Sequence, residues 1–239
     1  MTTHAPHPSE PDQEAANPRR DAQRAALLDA ASRMLMHGGP DAISLRKLAA
    51  EVGTSTMAVY TAFGGKEGLI SALYEEAFDR LGATQRAVPR DPDPLVWLAN
   101  LGRAYHDFAL ANPSYYALMI SVTMPVSEAA RHAGAELPAR GISGHPSYQY
   151  LLDAVKACVD EGYFASDVEP VMIADAFWAV AHGLCSLELA GYHTSAKEAD
   201  ARFITTTSAV MMGFLTEKGR ASFLTEKGRA RMNLATRKN

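Results

Sequence analysis

A stretch of short polar side chains near residue 56 could bind a phosphate backbone. The surface would be formed by Thr54, Ser55, Thr56, Met57 and Thr61. Hydroxyls and free amides at a helix start bind phosphate oxygens, and a few longer side chains can then reach base edges in the major groove. These residue types therefore predict contact with double-stranded DNA.

Neighbouring residues extend the predicted DNA-binding surface and form the inward face of the same helix. Tyr60 offers a hydroxyl that can reach a phosphate, and Lys66 adds charge where the dipole of the next helix already attracts anions. Ala58, Val59 and Phe63 have the size and spacing of inward-facing residues.

A second group of side chains follows helical spacing, with alternating steps of four and three. One face would hold Val171, Asp175, Trp178, His182, Cys185 and Leu189. Trp178 and His182 are therefore neighbours. A histidine on an apolar face is either a hydrogen-bonded core residue or a polar group in a ligand pocket, and both interpretations stay open.

Aromatic and soft side chains could form the walls of such a pocket or belong to an ordinary core. They are Trp97, Tyr105, Phe108, Tyr116, Met119 and Tyr150. Tyrosine and tryptophan at several of these positions favour a pocket, because their rings combine apolar area with a polar group. With Trp178 and His182, they form the predicted effector site.

An enzyme is a weaker alternative. Eight histidines are spread from His4 to His193 with no metal-ligand cluster, and no glycine-rich phosphate loop follows a strand. The pairs His106–Asp107 and Asp175–His182 could supply a base and its orienting partner, but no nucleophile stands beside them. We therefore predict no catalytic residues, no metal and no cofactor.

Helical periodicity and capping residues predict the elements that carry the polar surface. The first helix begins near Pro18 and stops at Gly38-Gly39-Pro40, the second runs from a Ser44 cap to Gly53, and the third spans residues 56–63 before Gly64-Gly65. A fourth helix, residues 66–82, would connect this head to the remainder. Two short helices separated by a tight glycine turn form a helix-turn-helix.

A larger helical body is predicted beyond a linker at residues 88–94. Helix five should cover about 94–111, helix six should follow Asn112-Pro113, and helix seven should cover about 146–161. Helix eight should run from a cap at Asp167 to Gly191. Helix nine should begin with a capping box at Ser195 and Glu198 and continue past Leu215. Residues 123–147 lose periodicity, which predicts a mobile loop with one helical turn at 127–132.

The two ends of the chain differ from its middle. Residues 1–18 contain four prolines and no apolar periodicity, which predicts a disordered arm. The octapeptide at 214–221, FLTEKGRA, recurs at 223–230. A small duplication that lengthens a frayed basic tail is the favoured interpretation, and a second nucleic-acid contact is the alternative. The predicted units are thus 1–18, 19–67, the connecting helix, 83–219 and a tail at 220–239.

Composition indicates an all-α, cytoplasmic protein. The chain of 239 residues is 47% apolar, and clusters of strand-forming residues are scarce. No secretory pattern or membrane-length apolar run is present, so no membrane partner is expected. Cys158 and Cys185 sit in apolar helical patterns and are expected to be core thiols.

The charge is distributed unevenly along the chain. The formal charge is −3 for residues 1–18, +2 for 19–67, −8 for 68–215 and +5 for 216–239. A basic head on an acidic body suits contact with nucleic acid at one end.

The head resembles the DNA-binding domain of the TetR family. The resemblance covers residues 20–70 and is carried by the segment from Ile43 to Ser55, with Val59-Tyr60, Phe63, Lys66-Glu67 and Leu69. It implies DNA contact by the residues at the family's contact positions, which are Ser44, Arg46, Thr56, Tyr60 and Lys66, and we add the adjacent Lys47. The resemblance implies an N-terminal three-helix domain and a larger C-terminal ligand-binding domain.

Departures from the family pattern concern the base contacts. Thr56 and Thr61-Ala62 stand where basic residues are common. Losing these charges should weaken phosphate attraction and favour thymine methyl groups, which Met57, Ala58 or Ala62 could touch.

The body carries a weaker resemblance. The run from Trp178 to Gly183 is similar to a Trp, His, Gly signature of one branch of TetR C-terminal domains. The resemblance implies a homodimer through helices eight and nine, a small apolar or aromatic effector, and a repressor that this effector releases from operator DNA. An effector-independent DNA binder is the alternative, but the acidic body disfavours it, because non-specific binding depends on neutralising phosphates.

Overall fold

The computed structural model describes residues 18–38, 42–119 and 146–224, which form ten helices. The helices are α1 Pro18–Gly38, α2 Leu45–Val52, α3 Thr56–Phe63, α4 Lys66–Arg86, α5 Pro94–Ala111, α6 Pro113–Met119, α7 Pro146–Asp160, α8 Pro170–Leu189, α9 Ala196–Phe214 and α10 Glu217–Leu224. The β pairing in these ranges is one antiparallel bridge, between Phe164 and Leu215. The all-α prediction is confirmed. Residues 1–17 of the predicted arm at 1–18, most of the predicted loop at 123–147 and the tail beyond 224 lie outside the described residues.

The head forms one apolar core from α1 to α4, to which α6 also contributes. Leu28, Leu48, Val59 and Leu73 are completely buried in it. Helices of eight residues are not stable alone, so α2 and α3 depend on this packing. Gly53 joins them in the left-handed conformation, with φ 72° and ψ 36°, which glycine adopts without the steric cost of a side chain. The predicted helix-turn-helix is therefore confirmed.

The body packs α5, α7, α8 and α9 around a second core. Leu101, Val155 and Ile173 are buried there. Cys158 and Cys185 are free and completely buried, as predicted for core thiols. The long α4 packs against α1 of the head, against α6, and against α5 and α7 of the body. One rigid element therefore spans both parts.

Two helix boundaries differ from the predictions. α4 continues to Arg86 instead of ending near residue 82, because Gly82 is buried within the helix and faces Ser147 of α7. α8 begins at Pro170, and no side chain caps it, so the predicted Asp167 cap is wrong. Glu169 precedes the proline and has the extended conformation, with ψ 130°, that such residues favour.

The end of α9 is a third correction. The helix stops at Phe214, and Leu215 turns into an extended conformation, with ψ 131°, that pairs with Phe164. Thr216 Oγ1 then donates to the Gly162 carbonyl at 2.7 Å and accepts from Gly219 N at 3.1 Å. The first copy of the repeated octapeptide thus folds into the end of α9, the turn and α10.

Candidate functional site

The polar and apolar sides of α3 are clearly separated. Val59 and Phe63 are buried in the head core, as predicted. Met57 is 73% exposed and Tyr60 is 51% exposed on the opposite side. Ala58, predicted to face inward, is only half-buried. The exposed side of α3 can therefore enter a groove of DNA without disturbing the core.

Two predicted DNA-contact hydroxyls cap the helices that carry them. Ser44 Oγ accepts a hydrogen bond from Lys47 N at 3.4 Å, and Ser55 Oγ accepts one from Ala58 N at 3.1 Å. A hydroxyl oxygen that accepts a bond keeps its own proton. Both serines therefore remain able to donate to a phosphate oxygen.

Thr54 and Thr61 differ in whether the hydroxyl proton is free to bind a phosphate. Thr54 Oγ1 accepts from Gln23 Nε2 of α1 at 2.8 Å, so its proton remains available. Thr61 Oγ1 instead donates to the Met57 carbonyl at 3.0 Å, one turn earlier in α3. Its proton is engaged within the helix, and Thr61 is the weaker phosphate donor of the two.

The basic candidates surround α3. Arg46 and Lys47 are exposed on α2, while Lys66 is half-buried at the start of α4. Gly65 precedes Lys66 and supplies no side-chain cap, so the first amides of α4 can meet an anion. None of the ten predicted DNA-contact residues is buried.

A cavity of about 210 Å³ lies in the body between α4, α5, α7, α8 and α9. Its wall is mainly apolar and includes Phe78, Leu81, Leu98, Phe177 and Met211. Concave, mostly apolar cavities with a few polar groups are typical small-molecule sites.

His182 contributes both to this cavity and to the core. It lines the cavity, its Nδ1 lies 2.5 Å from the Tyr105 hydroxyl, and its carbonyl accepts from the Tyr116 hydroxyl at 2.7 Å. The Trp178 ring centroid is 5.5 Å from that of His182. Burial lowers the pKa of His182, which keeps the ring neutral near pH 7. His182 is therefore hydrogen-bonded within the core and also lines the cavity.

Charged side chains beside the cavity are paired with one another. Arg103 lines the cavity, forms an ion pair with Asp200 of α9, and places NH1 3.4 Å from Nδ1 of buried His106. His106 Nε2 lies 2.6 Å from Glu188 Oε2 of α8. This network connects α5 to α8 and α9. In the described ranges, no group of three or more His, Cys, Asp or Glu side chains could hold a metal ion.

The structure places half of the predicted effector residues on the cavity wall. Tyr105, Met119, Trp178 and His182 line it. The remaining four do not, because each is held elsewhere. Trp97 packs under Arg90 with a 4.6 Å separation, Phe108 and Tyr116 are buried behind the wall, and the Tyr150 hydroxyl accepts from Arg86 Nε at 3.2 Å.

Sequence reasoning missed several cavity residues, of which Gln85 is the most informative. It lies beyond the predicted end of the fourth helix at residue 82. Phe78, Leu81 and Gln85 follow steps of three and four residues along α4. Extending this periodicity through Gly82 would have found it.

An exposed polar helix after a glycine turn, on a head joined to a cavity-bearing body, defines a helix-turn-helix transcriptional regulator. The sequence model described as "Bacterial regulatory proteins, tetR family" matches residues 27–73. That described as "Tetracyclin repressor-like, C-terminal domain" matches residues 98–210. The chain therefore belongs to the TetR family, whose members are DNA-binding regulators and not enzymes.

Known proteins agree with this assignment. An HTH-type transcriptional regulator of Mycobacterium tuberculosis is 25% identical over 167 residues, which cover 66% of this chain and 69% of that one. A protein of unknown function from Rhodococcus sp. RHA1 has a TM-score of 0.64 at 24% identity, covering 87% and 100% of the two chains. The TetR family regulator PfmR from Thermus thermophilus has a TM-score of 0.57 at 18% identity, covering 78% and 97%. The similarity to these two solved structures, at 24% and 18% identity, shows a shared fold alone.

Proposed function

We propose that the chain is a dimeric repressor that a small apolar molecule releases from its operator. The observation that carries this proposal is the course of α4. Its first residue, Lys66, belongs to the predicted DNA surface, and Phe78, Leu81 and Gln85 further along the same helix line the cavity. A molecule that shifts α4 when it fills the cavity must also shift the head.

α6 offers a second connection between cavity and head. Met119 of α6 lines the cavity, while the Tyr115 hydroxyl donates to Asp29 Oδ1 of α1 at 2.9 Å. Arg80 of α4 lies 2.9 Å from the same carboxylate oxygen and stacks over the Tyr115 ring at 4.4 Å. We infer that the effector binds more tightly to a conformation in which the spacing of the two heads does not match the operator. Effector binding then lowers the affinity for DNA, and DNA binding lowers the affinity for the effector by the same factor.

Dimerisation is proposed through α8 and α9, which pack side by side. α8 has the length and the apolar composition of a membrane-spanning helix, yet only 22% of its most apolar 18 residues is buried within the described part of the chain. Met172 is 61% exposed, and Leu187 is also exposed. A symmetric pairing of these helices would cover that surface and present two heads to two half-sites.

The finer assignments belong to the same proposal. The ten predicted contact residues would bind operator DNA, with the unit at 19–67 as the DNA-binding domain and the body as the effector and dimerisation domain. Tyr105, Met119, Trp178 and His182 would contact the effector. A regulator that binds the chromosome would act in the cytoplasm.

The test begins with an operator selected in vitro from random duplex DNA. Arg46→Ala should weaken binding to that operator at least about tenfold in a dimer, whereas Lys156→Ala, which removes an exposed charge from α7, should not. A library of apolar compounds is then screened for release of the labelled duplex by fluorescence anisotropy. Release by no compound would favour an effector-independent DNA binder instead.

A further inference from the structure

One buried polar atom has no partner, and it belongs to a residue that lines the cavity. Gln85 is only 5% exposed, and its Nε2 donates to the Leu101 carbonyl of α5 at 3.3 Å. No described residue donates a hydrogen bond to Gln85 Oε1. In the described ranges it is the one buried side-chain nitrogen or oxygen atom without a hydrogen-bond partner.

The orientation of this amide is fixed by its neighbour. Exchanging the positions of Oε1 and Nε2 would bring two acceptors together, the amide oxygen and the Leu101 carbonyl. The oxygen is therefore the atom left to receive a bond. Buried polar groups in folded proteins are paired in the great majority of cases, so an orphaned acceptor on a residue that lines a cavity indicates a missing donor.

The charges around the cavity restrict what can carry that donor. Arg103 is the cationic side chain on the described wall, and Asp200 already neutralises it. An anionic ligand would have to compete with this carboxylate. The ring of His182 is uncharged near neutral pH because of its burial, so it offers no alternative counter-charge.

We propose that the cavity selects an uncharged, mostly hydrocarbon molecule bearing one hydroxyl or amide N–H, and that this group donates to Gln85 Oε1. The inference rests on the proposed effector function and names the chemical class of the effector. Because Gln85 lies on α4, the bond would form on the helix that begins at Lys66.

Matched probes test the donor directly in the full-length protein. Each pair shares a skeleton and differs in the donor: 1-decanol with decyl methyl ether, and 2-naphthol with 2-methoxynaphthalene, with decanoate as the anion. Tryptophan fluorescence reports binding, since Trp178 lines the cavity. We expect at least one alcohol to bind about tenfold tighter than its ether, which corresponds to about 1.4 kcal/mol, and decanoate to bind more weakly than decanol.

The variant Gln85→Met keeps a similar side-chain volume and removes the acceptor. It should weaken the preferred alcohol about tenfold, leave its ether unchanged and abolish the difference between them. Thr207→Val is the matched control. Thr207 also lines the cavity, but its hydroxyl donates to the Phe203 carbonyl at 2.7 Å, so the preference for the alcohol should persist.

Different failures identify different errors. Equal binding of alcohol and ether to the wild-type protein, a comparison that needs no variant, would overturn the role of Gln85. An alcohol preference that survives in a folded Gln85→Met protein would do the same. If no probe of either skeleton changes the fluorescence or the melting temperature, the effector cavity itself is refuted, and this inference falls with it.

Discussion

Met57 has an unusual combination of properties for a residue of the DNA-binding surface. It is large, apolar and the more exposed of the two large side chains on the outer side of α3. Such a side chain cannot hydrogen-bond a base edge strongly, but it can pack against the methyl group that distinguishes thymine in the major groove. This placement agrees with the hypothesis that lost basic residues shift base preference toward thymine.

We predict that Met57→Ala weakens operator binding by about 1 kcal/mol per contacted base pair, at the lower end of what one base contact contributes. Replacing the contacted thymine by uracil, which lacks the methyl group, should cost a similar amount. The two changes should not add, because they remove the same contact. The wild-type protein and Met57→Ala, each titrated with the thymine and the uracil duplex, form a double-mutant cycle that fluorescence anisotropy can measure. If the two losses of binding free energy add, Met57 does not contact the thymine methyl group.

His182 should make stability depend on pH. Burial lowers its pKa in the folded protein below the ordinary value of 6.5, so the unfolded chain takes up the proton first. This contribution to stability is therefore present above the unfolded pKa and is lost as pH falls through the folded pKa.

We predict that the melting temperature of the wild-type protein falls between pH 7.5 and pH 5, and that His182→Asn shows a shallower fall. The difference in slope should reflect at most one proton per chain. His37→Asn, which changes an exposed histidine in the last turn of α1, should retain the wild-type slope. Parallel slopes for the wild type and His182→Asn would exclude His182 as the group responsible.

At the scale of elements, α10 is held against the body by close backbone contact. Lys218 Nζ donates to the Glu161 carbonyl, and Thr216 N donates to Tyr163 O at 2.9 Å. A Cβ atom at Gly219 would lie 2.3 Å from the same Tyr163 oxygen. A side chain at this position cannot be accommodated unless α10 moves.

We predict that Gly219→Ala destabilises the protein by about 1–3 kcal/mol, the usual cost of overpacking, or detaches α10. Gly213→Ala is the control, since a Cβ there meets nothing within 4 Å, and should stabilise α9 by about 0.5–1 kcal/mol. Urea denaturation followed by circular dichroism measures both free energies of unfolding. A Gly219→Ala protein as stable as the wild type would show that α10 does not need this contact.

At the scale of the whole molecule, the weakly basic head makes dimerisation part of DNA binding. Residues 19–67 carry a charge of only +2, whereas residues 68–215 carry −8. One head would neutralise few phosphates, and the acidic body would oppose its approach. Two heads on the proposed dimer would double the phosphate contacts.

We predict that Leu187→Glu on α8 converts the dimer to a monomer at micromolar concentration and weakens operator binding by at least tenfold, because the pairing would bury an unpaired charge. Leu110→Glu changes a comparably exposed leucine on α5 and should affect neither property. Sedimentation velocity and anisotropy measure the two effects. A Leu187→Glu protein that remains dimeric would place the interface elsewhere.

The sequence by itself determined the head. Its helices are short, their caps at Ser44 and Ser55 are local, and the turn at Gly53 needs a residue that tolerates positive φ. Such features act between neighbours along the chain, so residue order is enough to place them. The polar side of α3 followed because its buried positions repeat with the helix.

Only the tertiary structure decided which body residues form the cavity. Tyr105 and Phe108 lie one turn apart on α5 and have similar apolar area, yet only Tyr105 reaches the wall. Gln85 gained its significance from Leu101, sixteen residues away, which holds its amide nitrogen and leaves its oxygen unpaired. Periodicity shows that a side chain faces the interior of a bundle, but whether it meets packed atoms or open space depends on the helices opposite, which residue order does not specify.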